Sequence, residues 1–165
     1  MNIMNIEHIS KIFGEKTIFD DASIGIQEGD KIGIVGINGT GKSTLLRMIA
    51  GDEVPDSGNI IRQNQLKLAW LPQEPKFPEG ATILSYAGDD ETGWKVQSNL
   101  SQLGIMDYSM PIDQLSGGQK RKVALAKVLA QDFDVLLLDE PTNHLDSAMI
   151  RWLEDYLKNF RGTIL

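Results

Sequence analysis

Residues 36–44 read Gly-Ile-Asn-Gly-Thr-Gly-Lys-Ser-Thr and match the pattern G-x-x-x-x-G-K-[ST] in full. Gly36, Gly39 and Gly41 let the backbone wrap closely, with N–H groups turned inward toward an anion. Asn38 and Thr40 complete the loop. Lys42 can reach the outer phosphates of a nucleoside triphosphate, and the Ser43 hydroxyl suits a Mg²⁺ ligand. Thr44 and Leu45 open a helix whose N-terminal dipole favours the same anion. The flanks agree. Lys31-Ile-Gly-Ile-Val35 reads as a short buried strand, and Leu45 to Ala50 as a helix stopped by Gly51. Strand, glycine loop and helix in that order are the context the pattern requires. The competing reading is a glycine-rich turn that binds nothing.

Composition sets the outer limits. The chain has 165 residues, 41% of them hydrophobic and 24% charged, as in an ordinary globular domain. No apolar run is long enough to span a membrane, and the N-terminus is too polar for a secretory signal. With no cysteine there are no disulfides or thiolate metal sites, which fits a cytoplasmic location. A net charge of −7 argues against a broadly basic nucleic-acid-binding face.

Along the chain, residues 3–35 look β-rich. A turn is expected at Gly14-Glu15-Lys16, a short strand at Ala22–Ile26 and a turn at Gln27–Asp30, which together suggest an antiparallel flap. Pro55–Gly58 reads as a turn, Leu66–Leu71 as a strand and Pro75–Gly80 as a loop. Val96, Leu100 and Leu103 have helical spacing. Ser116 can cap a helix striped by Val123, Ala124, Val128 and Leu129. Asp146 can cap a last helix carrying Met149, Ile150, Leu153, Leu157 and Phe160, with Gly162 at its end. Thr163-Ile164-Leu165 begins another strand.

Two further segments carry chemistry. Val135–Leu138 is an apolar run ending in Asp139-Glu140, a pattern that fits the Mg²⁺-coordinating strand end of a phosphate-loop NTPase. Asp139 would hold Mg²⁺, and Glu140 would polarise the attacking water as general base. Leu115-Ser116-Gly117-Gly118-Gln119 offers a hydroxyl and backbone N–H groups at a helix start. It reads either as a second anion site or as an N-cap with a flexible entry.

These three segments, in this order, resemble those of the ATP-binding cassette (ABC) superfamily over essentially the whole chain. The resemblance implies an α/β fold: a P-loop NTPase core with a parallel sheet, an N-terminal antiparallel β flap and a short helical signature subdomain. It implies one cassette spanning 1–165, with 1–72 and 134–165 forming the ATP-binding core and 73–133 the helical subdomain. ATP and Mg²⁺ are the implied ligands. Phe13 resembles the aromatic that stacks on adenine, with core packing as the alternative. Gln73 resembles the glutamine that contacts Mg²⁺ and senses the γ-phosphate. Ser116, Gly117, Gly118 and Gln119 resemble the signature that binds the ATP of an opposing cassette. Asn143–Asp146 holds the place of the loop that communicates across the cassette pair.

Pro141-Thr-Asn-His-Leu-Asp146 and Asp155–Gly162 are similar to the ABC-F proteins, which carry two cassettes, lack a membrane domain and act on the ribosome. The implied partners are a second cassette and the ribosome; a transporter cassette is the alternative. Lys120-Arg121-Lys122 reads either as a contact with the partner cassette, its phosphates or RNA, or as a solvated face. Two departures stand out. No histidine occupies the place of the γ-phosphate switch, since neither His8 nor His144 fits by position. The stretch from Gln73 to Leu115 is also short for ABC-F. The chain is therefore expected to be the first cassette of a longer protein.

Overall fold

The computed structural model describes residues 1–34, 41–88, 93–142 and 145–165. They form two compact units: Met1–Pro72 with Phe133–Asp139 and Arg161–Leu165, and Gln73–Asp132 with Glu140–Phe160.

The first unit holds two sheets. β1 (Asn2–Phe13) lies between β2 (Lys16–Gln27) and β3 (Ser57–Arg62), antiparallel to both. β4 (Leu68–Leu71), β5 (Val135–Leu138) and β6 (Thr163–Ile164) are parallel, with β5 in the centre. All four residues of β5 are buried, which is why that strand reads as an unbroken apolar run. α1 (Lys42–Ala50) packs in the same unit, and its Leu46, Met48 and Ile49 join Ile3, Met4, Ile6, Ile9, Ile26, Val135 and Leu137 in one core.

Several expectations change in detail. The flap strands are 12 residues each, longer than the short strands expected. Bulges explain the misreading: the β1–β2 register shifts between Ile6 and Ile9, and His8 and Asp21 take left-handed φ values of 50° and 52°. Each bulge resets the in–out alternation that marks a strand in sequence. β3 starts at Ser57, inside the expected turn, because its backbone completes β1. The expected strand at 31–35 contributes one parallel bridge, Lys31 to Ile164, with Ile32 N–H donating to the Ile164 carbonyl at 2.8 Å. Its partner β6 is two residues long, so the ladder has little to pair with; Val35 lies outside the described residues.

The second unit is helical. α2 (Ile83–Ala87), which the sequence reading did not single out, starts from a Thr82–Ser85 capping box. α3 (Gly93–Gln102) packs Val96 and Leu100 against α4 (Gly117–Ala130). α4 is buried on most sides, hence its run of Val, Ala and Leu. α5 (Ser147–Asn159) is capped by Asp146, whose carboxylate accepts from Met149 N–H at 2.9 Å. It ends in extended backbone at Phe160, so Gly162 does not terminate it. Among the described residues no helix is long and apolar enough to cross a membrane.

An ion cluster fastens the flap. Lys11, only 8% exposed, meets Glu53 at 2.9 Å and Asp56 at 3.5 Å and donates to the Val54 carbonyl at 2.7 Å. The hydrogen bond with Glu53 is the main cause raising the Lys11 pKa above its ordinary 10.5. The same bond is the main cause lowering Glu53 below its ordinary 4.5. Stability from Glu53 is therefore present above its unfolded pKa and lost as pH falls through the lower folded value. Stability from Lys11 is present below its unfolded pKa and lost as pH rises through the higher folded value. Lys11→Met is expected to flatten both the acid and the alkaline limb of the melting temperature against pH; unchanged slopes would refute the assignment.

Candidate functional site

The start of α1 lacks a side-chain cap. Its N-cap is Gly41, at φ 94° and ψ 12°, with no side-chain capping bond and no acidic residue in the first turn. The other α-helices with described caps begin differently: Thr82, Ser116 and Asp146 each accept a backbone N–H of α2, α4 or α5. Glycine is required at position 41 twice over. Its φ is one that L side chains avoid, and an added Cβ would lie 2.2 Å from Ile18 Cγ2. Lys42 and Ser43 follow in the first turn, both half-buried, and Thr44 is buried. Gly36, Asn38, Gly39 and Thr40 lie outside the described residues, as do Asn143 and His144.

Asp139 extends the central strand β5. It is 4% exposed, and its N–H donates to the Leu71 carbonyl at 3.1 Å. Ser43 and Asp139, both in the first unit, offer a hydroxyl and a carboxylate, hard oxygen donors of the kind Mg²⁺ takes.

The next residue, Glu140, adopts φ 45°, rare for a side chain other than Gly, Asn or Asp. Such a conformation costs about 1–2 kcal/mol and persists only where neighbours enforce it. Here Gln73 Nε2 donates to Glu140 Oε2 at 2.9 Å, bringing together two of the expected site residues. Arg121 Nη2 donates to the Glu140 carbonyl at 2.7 Å, and Arg121 Nη1 donates to the Gln73 carbonyl. Arg121 is 4% exposed, so neither the solvated-face reading nor the outward-contact reading of Lys120-Arg121-Lys122 describes it. Lys122 turns to Asp146, 3.7 Å away. No local pattern marks this arrangement, because Arg121 is defined by partners 48 and 19 residues distant.

Phe13 ends β1 and is 44% exposed, so it is not a core residue. Lys11 Nζ sits over the ring, 5.1 Å from its centroid. At the start of α4, Ser116 Oγ accepts from Gln119 N–H and Gln119 Oε1 accepts from Ser116 N–H, a closed capping box. The N-cap reading of this segment is thus realised in the chain. Gly117 is exposed, and an added Cβ there would meet nothing within 4 Å.

Comparison with known proteins bears on the family. The model of the family described as "ABC transporter" matches residues 19–143. The chain is 37% identical over 209 aligned positions to the Bacillus subtilis (strain 168) protein YfmR, named an uncharacterized ABC transporter ATP-binding protein; the match covers 100% of this chain and 33% of YfmR. It is 39% identical over 164 positions to the ribosome protection protein VmlR of the same strain, covering 99% of this chain and 28% of VmlR. A chain in the crystal structure of archaeal ribosomal stalk protein aP1 with archaeal ribosome recycling factor aABCE1 superposes with a TM-score of 0.79 at 28% identity. That match covers 100% of this chain and 33% of the other. The chain therefore spans about a third of the length of the curated relatives it matches. The YfmR alignment is longer than the 165 residues here, so that relative carries residues this chain lacks.

Gly41→Ala and Gly29→Ala separate crowding from backbone strain. Both positions have positive φ, but an added Cβ at Gly29 meets nothing within 4 Å. By urea unfolding, Gly41→Ala is expected to destabilise more than Gly29→Ala by about 1–3 kcal/mol, the cost of overpacking. Equal losses would show that Ile18 does not confine the loop.

Proposed function

Since the chain belongs to the ABC transporter family, we propose that it is the ATP-binding and ATP-hydrolysing cassette of an ABC-F type protein acting on the ribosome. The observation that carries the nucleotide reading is the uncapped start of α1 behind left-handed Gly41. The positive end of the helix dipole and Lys42 meet there, and both favour a polyphosphate. Phe13 offers an exposed ring to the base.

The chain's residues then divide the work. The first turn of α1 and Lys42 bind and orient the phosphates. Ser43, Gln73 and Asp139 are the residues that would hold Mg²⁺, which when bound neutralises the charge developing on phosphate oxygens. Glu140 takes the proton from the attacking water as general base. The amide of Gln73 holds one Glu140 oxygen, fixing the direction in which the carboxylate presents its other one. Ser116 to Gln119 face a second cassette. Among the described residues neither crowding nor positive φ demands glycine at 117, so close approach of an external group accounts for its lack of a side chain. Closing two cassettes over ATP completes each site and excludes water.

The ribosomal assignment rests on the ABC-F resemblance at 141–146 and on the names of VmlR and of the recycling factor. The name of YfmR favours a second reading, a transporter cassette with a membrane partner.

Three outcomes test the proposal. Glu140→Gln in the protein that contains this cassette is expected to lower kcat on the order of 10²–10⁴-fold with ATP binding retained; equal rates would instead mark a non-hydrolysing, ATP-gated binding module. This chain alone is expected to bind ATP with little turnover, and fast turnover independent of protein concentration would contradict the paired-cassette mechanism. Cosedimentation of the whole protein with ribosomes, dependent on ATP, is expected; its absence together with recovery of a membrane partner would favour the transporter.

A further inference from the structure

We infer that Arg121 is a positioning residue through which α4 sets the geometry of the Gln73–Glu140 pair. The inference rests on the reading of Glu140 as general base. Gln73 and Glu140 lie 67 residues apart in sequence, yet their side chains meet at 2.9 Å. Behind that contact, one guanidinium donates to both of their backbone carbonyls, at 2.7 Å in the case of Glu140. A planar fork with fixed donor directions holds two acceptors at a set separation, which a flexible ammonium does not. The Glu140 backbone needs such a hold, because its φ of 45° is not one the residue keeps unaided.

The place of Arg121 on α4 adds a consequence. It is the fifth residue of the helix, one turn beyond the capping box of Ser116 and Gln119. The helix that presents the signature to an opposing cassette is thus the helix that fixes this cassette's own base. A change in the seating of α4 on its partner moves the guanidinium, and with it the Gln73 and Glu140 carbonyls. Arg121 thereby links the two nucleotide sites that one cassette serves: the site it completes for its partner and the site it supplies with a base.

The test uses the whole protein with Arg121→Lys, which keeps the buried charge and stem but loses the fork, beside Arg121→Met and Glu140→Gln. For Arg121→Lys we expect kcat to fall on the order of 100-fold, the loss that follows a small misplacement of a reacting group. ATP affinity is expected to stay within about twofold, because the phosphate-binding residues are untouched. Arg121→Met should lose at least as much kcat as Arg121→Lys; if it does not fold, the lysine variant decides alone. A folded Arg121→Lys with wild-type kcat overturns the inference, as does a loss confined to ATP affinity. If Glu140→Gln retains wild-type turnover, the general-base reading itself falls; if it is inactive while Arg121→Lys is normal, only the positioning role falls.

Discussion

The structure depends on burying β5. Val135 to Leu138 are enclosed and paired on both sides, with β4 by residues 68–71 and with β6 by residues 163–164. A strand in that position has no freedom of register, because a slip of one residue would break two ladders at once. Rigidity is therefore passed directly to the residues at its end. Asp139 inherits a fixed place through its bond to Leu71, and the turn that follows puts Glu140 in a conformation the residue would not choose. Chemistry placed at the end of such a strand rests on a segment buried and paired on both sides.

The glycine loop answers a different physical need. A helix start normally satisfies its free N–H groups with its own side chains, as α2, α4 and α5 do. α1 does not, and a left-handed glycine stands where the capping residue would be.

Much of this was legible in the sequence, and the reasons are specific. The pattern at 36–44 announces the start of α1. Four consecutive apolar residues before Asp139 announce β5. Ser116 and Asp146 announce their helices, because a cap is a local device read over three or four residues. What escaped was set by distant partners or by broken periodicity. The flap strands were longer than their pattern implied because bulges at His8 and Asp21 reset the alternation. β3 has little strand character of its own and exists because β1 offers an edge. Arg121 sits between two lysines that remain partly accessible, and only the fold distinguishes it from them. The left-handed backbone of Glu140 leaves no trace in composition at all.

The closed box at the start of α4 has one more implication. Ser116 and Gln119 satisfy each other, so the helix end is stable in the absence of any visitor. Each of these bonds has a polar replacement within reach of solvent, so opening the box strands no dry donor or acceptor. A surface of that kind can exchange internal bonds for external ones at nearly level free energy. Contacts made there would be quick to form and quick to release, which suits a cyclic machine better than a permanent seam.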